Sequence, residues 1–424
     1  MSYALLEAAP LQWPMKEGET AGKVRLYENG IFPTLDGMAN FVNTGHRPLS
    51  EPLEARYPFS LNTGRLRDQW HGMSRTGTLG RLFGHVAEPS VQMNRQDMAR
   101  RLLHDGDLVH VTSRRGSLIV PVQACSEVAF SQAFMAMHWG SEYLSGVSST
   151  GLPLAGVNAL TSPACCPDSK QPELKHAAVK ILKAELPWSL LAMAWFDNDE
   201  GLAAHAQLKP LLAAFPFASC VPFSNNRPLA GAQPERSGLM FRAAAHEAPG
   251  DETLALLEQV FKLDGSCILR YADRRKGQRR TVRLARTHEQ AELTGFMLAG
   301  DTSAQTWITT LLRDELPAQA YGRLLLLPGA KPPVAIESRG KVVCSCLNVT
   351  DIAIDDHLAR LMQEAAVPSN DDARLVSLQS VLKCGTSCGS CMPELKRRLR
   401  SARSAMAAEP PVSQPGIVPI RQVA

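Results

Sequence analysis

Apolar and polar positions alternate through Tyr57-Pro-Phe-Ser-Leu-Asn62, a period of two that predicts a half-buried strand closed by the turn Thr63-Gly64. Asn94 followed by Asp97 reads as a helix start. Met98, Leu102 and Leu103 then face a core, and Gly106 follows the helix end. Leu108–Thr112 and Leu118–Val122 read as two strands joined by a Ser113–Gly116 loop. Upstream, Trp13-Pro14 and Gly30–Gly37 string turn formers around short apolar pieces. The pattern is β-rich and predicts one domain over 1–180.

Beyond Pro187 the period changes. Leu190, Leu191, Met193 and Ala194, then Leu208, Leu211 and Leu212, predict helix up to Pro222. Residues 224–251 are polar and rich in Pro, Gly and Ala, which predicts a loop. Cys267–Tyr271 and Thr281–Ala285 read as neighbouring strands. The basic connection Asp273–Arg280 between them lacks the interleaved aromatics of a nucleic-acid patch and reads as a solvated hairpin loop. A Leu293–Leu298 strand, a Gly300-Asp301 turn and a helix containing Trp307 follow, and Pro332-Pro333 marks a linker. Thr350–Glu364 and Asp371–Lys383 are amphipathic helical patterns set between cysteine pairs, and another helix starts near Pro393. From Ser401 the periodicity stops. The expected architecture is a mixed α/β multidomain chain. Its parts are a domain over 1–180, an α/β connecting domain over 181–335, a small helical domain over 340–400 and a disordered tail over 401–424.

Composition narrows the function classes. The chain has 424 residues, which argues for about two to four domains. It is 45% hydrophobic, enough for ordinary cores, and its net charge of +4 is too small for a nucleic-acid-binding face. The Met1-Ser-Tyr-Ala-Leu-Leu-Glu start lacks the form of a signal peptide, and no run approaches the roughly 18 apolar residues of a membrane helix. A soluble, cytoplasmic protein without nucleic-acid or membrane partners is expected. The cytosol keeps thiols reduced, so ten cysteines point away from a disulfide framework, and five of them fall between 344 and 391.

Cys344-Ser-Cys346 and Cys388-Gly-Ser-Cys391 form a C-x-C and a C-x2-C pair. A helical stretch between them can fold back and bring them together. Four thiolates suit a [2Fe–2S] cluster, with two sulfurs from one loop on one iron. Gly385 and Gly389 permit backbone angles that aim amides at sulfur, and a helix starting near Pro393 would set its positive end beside an anionic centre. Tetrahedral zinc accepts the same four thiolates, so spacing alone leaves that choice open. The run Lys383-Cys-Gly-Thr-Ser-Cys-Gly-Ser-Cys391, with Cys344-x-Cys346 upstream, resembles the [2Fe–2S] domain of the bacterioferritin-associated ferredoxin family. That domain is also an appendage of nitrite and assimilatory nitrate reductases. The resemblance implies a [2Fe–2S] cluster on Cys344, Cys346, Cys388 and Cys391; Cys384 matches no ligand position.

In the N-terminal part, Asn62-Thr-Gly-Arg65 runs into Asp68-Gln-Trp-His-Gly-Met-Ser-Arg-Thr-Gly77. Gly64 would let the backbone approach a phosphate that Arg65 and Arg75 could hold by charge-assisted contacts. An ordinary polar loop is the competing reading. A nucleotide P-loop is excluded, because Thr78 stands where the motif demands lysine. Thr63-Gly-Arg…Gln-Trp-His71, Ser113-Arg-Arg-Gly116, Val157-Asn-Ala-Leu-Thr161 and Ser169-Lys-Gln-Pro-Glu-Leu-Lys175 occur in one order. That order resembles the β-barrel-type molybdopterin dinucleotide-binding domain of molybdenum oxidoreductases, most closely of bacterial assimilatory nitrate reductases. By that resemblance Thr63, Gly64, Arg65, Gln69, Trp70, His71, Asn158 and Lys175 line the guanine dinucleotide side of a molybdopterin guanine dinucleotide (molybdenum) cofactor, with His138 or Trp139 as a further contact. Cys165-Cys166 reads as structural.

The resemblance implies the C-terminal portion of a molybdenum-dependent nitrate reductase that converts nitrate to nitrite in nitrate assimilation. A [4Fe–4S] cluster and the molybdenum ligand are expected only in an N-terminal part that this sequence does not contain, so this chain alone is expected to be inactive. A separate N-terminal half is one implied partner. The implied electron donor is an NAD(P)H-dependent reductase subunit, ferredoxin or flavodoxin. Two other readings stand beside it: a non-catalytic iron–sulfur electron-transfer and partner-binding subunit, and a molybdopterin oxidoreductase with another substrate such as formate.

Overall fold

The computed structural model describes residues 2–43, 45–147, 152–154, 156–225, 236–287, 290–333, 335–363 and 370–408. Met1–Leu49 forms one unit and Ser50–Ala424 another. The first holds a short helix, Tyr3–Ala8, whose N-terminus is capped by Ser2, followed by turns.

The second unit begins with a closed barrel of six strands: Phe59–Gly64, Gln132–Ala136, Val91–Met93, Ser117–Ala124, Leu108–Thr112 and His176–Lys183, in that order around the ring. Alternation in the sequence becomes alternation across the barrel wall. Phe59, Leu61, Val109, Val111, Val120, Val122, Val179 and Ile181 meet in its interior, while Asn62 points to solvent. Closure leaves no free strand edge. Asn94 caps the helix Arg95–Arg100 by accepting from the Gln96 amide, as its sequence predicts. The helix is shorter than expected. Leu102 adopts a positive φ and stands exposed rather than facing the core.

The strongest departure lies between Pro187 and Phe196. Trp188–Phe196 is a strand, not a helix, and it sits fourth in an eight-stranded sheet. The sheet runs Ile268–Asp273, Gln278–Thr287, Gln290–Ala299, Trp188–Phe196, Ser237–Ala245, Phe217–Ser224, Leu144–Val147 and Pro153–Leu154, with every neighbouring pair antiparallel. Leu190, Ala192 and Ala194 pack on one face, where the helices Asn198–Leu211 and Asp251–Val260 cover them. Leu191, Met193 and Trp195 pack on the other, under the helix Gln305–Arg313. A strand covered on both faces is apolar throughout and loses the period of two that would have marked it. Ser237–Ala245 likewise replaces part of the loop expected over 224–251, while 226–235 lies outside the described residues. The Ile268–Asp273 and Gln278–Thr287 strands do form the expected hairpin, with Asp273 capping its tight turn.

The last part is a helical module. A two-stranded ladder, Val342–Cys344 with Val349–Thr350, leads into the helices Asp351–Gln363, Asp371–Val381 and Met392–Ala408. The third helix runs on past Ser401, so 401–408 is helical where a disordered tail was expected; 409–424 lies outside the described residues.

Candidate functional site

The first barrel strand delivers Thr63-Gly64-Arg65 to the barrel rim, paired up to Gly64 with Gln132–Ala136 on one side and up to Asn62 with His176–Lys183 on the other. A side chain at Gly64 would place its Cβ 2.6 Å from the Phe134 ring, so only glycine lets strand and rim lie this close. Thr63 is buried and its hydroxyl donates to the Leu174 carbonyl, while its amide donates to the Lys175 carbonyl at 3.3 Å. Thr63 thus ties the backbone at Leu174 and Lys175 to the end of this strand.

His138, 1% exposed, organises the loop that follows. Its Nε2 accepts from the Leu66 amide at 2.9 Å, so Nδ1 carries the proton and donates to the His71 carbonyl. Burial depresses the His138 pKa, and the nearby Arg65, His71 and Lys175 oppose its protonation further. The neighbouring Trp139 carbonyl accepts from the Val157 amide at 3.1 Å and so suspends the turn that carries Asn158. His138 and Trp139 are therefore supports beneath the site, one for each half, and both are buried.

The candidate residues divide. Arg65, Trp70, His71, Asn158 and Lys175 are exposed, and no carboxylate pairs with Arg65, Arg75 or Lys175 among the described residues. The Trp70 ring meets the His71 ring edge-on at 4.6 Å. Gln69 turns inward instead. Its Nε2 donates to the Leu82 carbonyl at 3.1 Å and its Oε1 accepts from Thr76 Oγ1 at 2.7 Å, so it braces the loop from within. What remains outside is a cationic rim with one half-exposed indole, suited to an anionic ligand that also carries a flat ring.

In the helical module Cys344 and Cys391 are buried, Cys346 is half-buried and Cys388 exposed. The close sulfur pairs run between the two loops rather than within them: Cys346 Sγ lies 3.1 Å from Cys388 Sγ, and the Cys391 thiol hydrogen-bonds Cys344. Among the described residues no three His, Cys, Asp or Glu converge closely enough to hold a single metal ion. Four sulfurs on two facing loops suit a thiolate-ligated centre, and in each cross-loop pair one thiol is shifted down and its partner up, Cys346 by burial and Cys391 chiefly by Cys344. The Cys391 thiol and the amides of Gly385, Leu347 and Cys346 draw the Cys344 pKa down to about 6. The Ser390 hydroxyl and amide lower that of Cys388. Gly385 and Gly389 both have positive φ, and a Cβ at Gly385 would meet Met392 Sδ at 2.5 Å. Cys384 is wholly buried and burial pushes it up to about 11, keeping it a thiol.

A set of contacts with no motif in the sequence joins the two sites. Arg67 Nη1 donates to Glu394 Oε2 at 2.9 Å, and its Nη2 donates to the Val343 carbonyl. Ser345 Oγ donates to Asp68 Oδ2 at 3.0 Å, and Arg81 reaches the Cys346 carbonyl at 3.3 Å. His85 and Arg67 together hold the Glu394 carboxyl down to about 2.

With this geometry in view, residues 59–178 match the family model described as "Molydopterin dinucleotide binding domain". This segment is a molybdopterin dinucleotide-binding domain. The match ends within the strand His176–Lys183 and so covers the other five barrel strands, the start of this one and every candidate cofactor residue from Thr63 to Lys175. A "Nitrate reductase" of Klebsiella oxytoca is 29% identical over 398 residues, 92% of this chain and 39% of that protein. A "Nitrate reductase" of a Synechocystis species is 37% identical over 43% of this chain and 25% of its own length. The "F420-dependent formate dehydrogenase 2 subunit alpha" of Methanococcus maripaludis is 28% identical, again over 43% of this chain and 25% of its own. The chain thus spans well under half the length of these relatives. Domain and relatives together support the molybdopterin oxidoreductase family for this chain.

Proposed function

We propose that the chain is the dinucleotide-binding and electron-entry portion of a molybdopterin-dependent nitrate reductase. The observation that carries the choice of substrate is coverage. The Klebsiella nitrate reductase matches 92% of the chain, whereas the formate dehydrogenase matches 43%. In the whole enzyme nitrate would take up two electrons and two protons and leave as nitrite and water.

Arg65 and Lys175 would hold the pyrophosphate of a molybdopterin guanine dinucleotide, with Asn158 beside them and Trp70 and His71 against the guanine. Gly64 lets the backbone come close, while Thr63 and Gln69 keep the loop in shape. Cys344, Cys346, Cys388 and Cys391 would hold a [2Fe–2S] cluster, which when bound supplies one-electron transfer. The two cross-loop sulfur pairs support this reading over a single zinc ion, because a two-iron centre needs two sulfurs at each of two points. Tetrahedral ligation at about 2.3 Å separates sulfurs by about 3.8 Å, so the Cys346–Cys388 pair has only to open slightly. The exposed side of Cys388 is where an electron donor would dock: an NAD(P)H-dependent reductase subunit, ferredoxin or flavodoxin. Among the described residues no helix is long and apolar enough to cross a membrane. We place the chain in the cytoplasm, where free thiols persist.

A second reading has its own support. The cysteine module has its own apolar core and an exposed Cys388, which suits a non-catalytic electron-transfer and partner-binding subunit. Electron paramagnetic resonance on the anaerobically purified, dithionite-reduced chain tests the part common to both. A spin-half signal that disappears in Cys388→Ser is expected. Zinc without iron in the purified protein would sink both readings.

A further inference from the structure

The Arg65–His71 loop has two working sides. Arg65, Trp70 and His71 face outward on the cofactor side, while Arg67 and Asp68 turn to the cysteine module. Arg67 touches the chain just before Cys344, at the Val343 carbonyl, and just after Cys391, at Glu394. Its Nε also meets Asp68 at 3.4 Å, and Asp68 accepts from Ser345, which lies between Cys344 and Cys346. Arg67 and Asp68 are largely buried, their side chains 18% and 7% exposed. The planar fork of one guanidinium therefore ties the segments flanking both cysteine loops to the cofactor loop.

We propose that Arg67 is a positioning residue that clamps both cysteine loops to the cofactor loop, so that metal retention in the module depends on the dinucleotide-binding domain. This rests on the iron–sulfur reading above. The physical reason is geometric. The cross-loop sulfur pairs hold only if the Cys344–Cys346 loop and the Cys388–Cys391 loop keep their mutual distance, and Arg67 donates to a residue flanking each, Val343 and Glu394. A partner of this kind outside the ligand shell typically changes metal affinity by about 10–100-fold when removed. A surface pair does far less. Arg397 also bridges the module to the barrel domain, through Glu127, and lies 3.9 Å from Glu394, but both Arg397 and Glu127 are more than half exposed and neither contacts the Cys344–Cys346 segment.

The test compares Arg67→Ala, Arg67→Lys and the control Arg397→Ala in the full chain, metal-free and after anaerobic reconstitution with iron and sulfide. In the metal-free protein, amide exchange over 343–347 and 385–394 should quicken in Arg67→Ala and stay near wild type in Arg397→Ala. After reconstitution, Arg67→Ala should retain iron against a ferrous chelator about 10–100-fold less well. Its midpoint potential should fall, because a cation beside the centre has gone. Lysine keeps the charge but not the fork, so Arg67→Lys should restore the potential without restoring retention. Wild-type exchange and wild-type retention in Arg67→Ala would overturn the clamp, and full rescue of retention by lysine would overturn the fork. A wild-type chain that takes up no iron would defeat the cluster reading instead, and the exchange measurement would still decide the clamp. Should Arg67→Ala fail to fold, Ser345→Ala removes the Asp68 anchor alone and must shift exchange and retention in the same direction.

Discussion

At the scale of single residues, the cofactor loop depends on a histidine that the family resemblance offered only as an uncertain contact. His138 is useful because it is neutral: only then does Nε2 accept from Leu66 while Nδ1–H donates to His71. Its folded-state pKa is depressed, chiefly by burial, below the ordinary 6.5. Its contribution to stability is therefore complete above pH 6.5 and is lost as pH falls through the depressed folded value. Protonation would strip the Leu66 amide of its acceptor, at a cost of about 1–3 kcal/mol. Exchange of the Leu66 amide should accelerate across that window in the wild type, and the step should be absent in His138→Ala, where exchange is fast throughout. An identical acid step in the variant would assign the titration to another group. Arg65 stood out in the sequence as a charge beside the glycine turn Thr63-Gly64, whereas Lys175, in a Pro-Glu-Leu-Lys run without glycine, was raised only by the family resemblance. Arg67, Asp68, His85 and Glu394 were not legible, because their partners lie hundreds of positions away and no local pattern announces them.

At the scale of elements, what could be read from the sequence depended on how many faces each element buries. Barrel strands such as Phe59–Gly64 and Leu108–Thr112 bury one face and keep their alternation; the second was foreseen to the residue, the first two residues too early, with Thr63-Gly64 in the strand rather than in a turn. The helices of the cysteine module also bury one face and kept their period. Trp188–Phe196 buries both, and its Leu-Leu-Ala-Met run suits helix propensity equally well. Sheet pairing with Ser237–Ala245 and Gln290–Ala299, which no local window contains, decides between them. This geometry has a measurable consequence. Leu190 and Leu191 point to opposite faces, yet both are buried, at 0% and 4% exposure. Leu190→Ala and Leu191→Ala should each lower the unfolding free energy by about 2–5 kcal/mol in denaturant titrations. A near-neutral result for either one would mean that its face of the sheet is open.

At the scale of the whole molecule, hydrophobic continuity sets what unfolds together. The barrel core includes Leu144, Phe217, Val221 and Ala244, which belong to strands of the large sheet, so barrel and sheet share apolar contacts across their boundary. The cysteine module has a separate core built on Ile354, Leu358, Leu378, Leu395 and Leu399, and much of its contact with the barrel domain is polar, through Arg67, Arg81 and Asp68. Polar bridges couple domains less strongly than a shared core, because water can replace each hydrogen bond at small net cost. Calorimetry on the metal-free chain should therefore show two transitions rather than one, with the module melting first. On the proposed iron–sulfur reading, iron bound only by the folded module would stabilise it by mass action, about 2.7 kcal/mol at a hundredfold excess over the dissociation constant. For a domain of this size each kcal/mol moves the midpoint by about 4–8 °C. The lower transition should thus rise on reconstitution and fall back on chelation, while the upper one, which contains no cysteine ligand, stays in place. A single transition that moves as a whole with metal would mean that the Arg67 contacts join module and barrel into one cooperative unit.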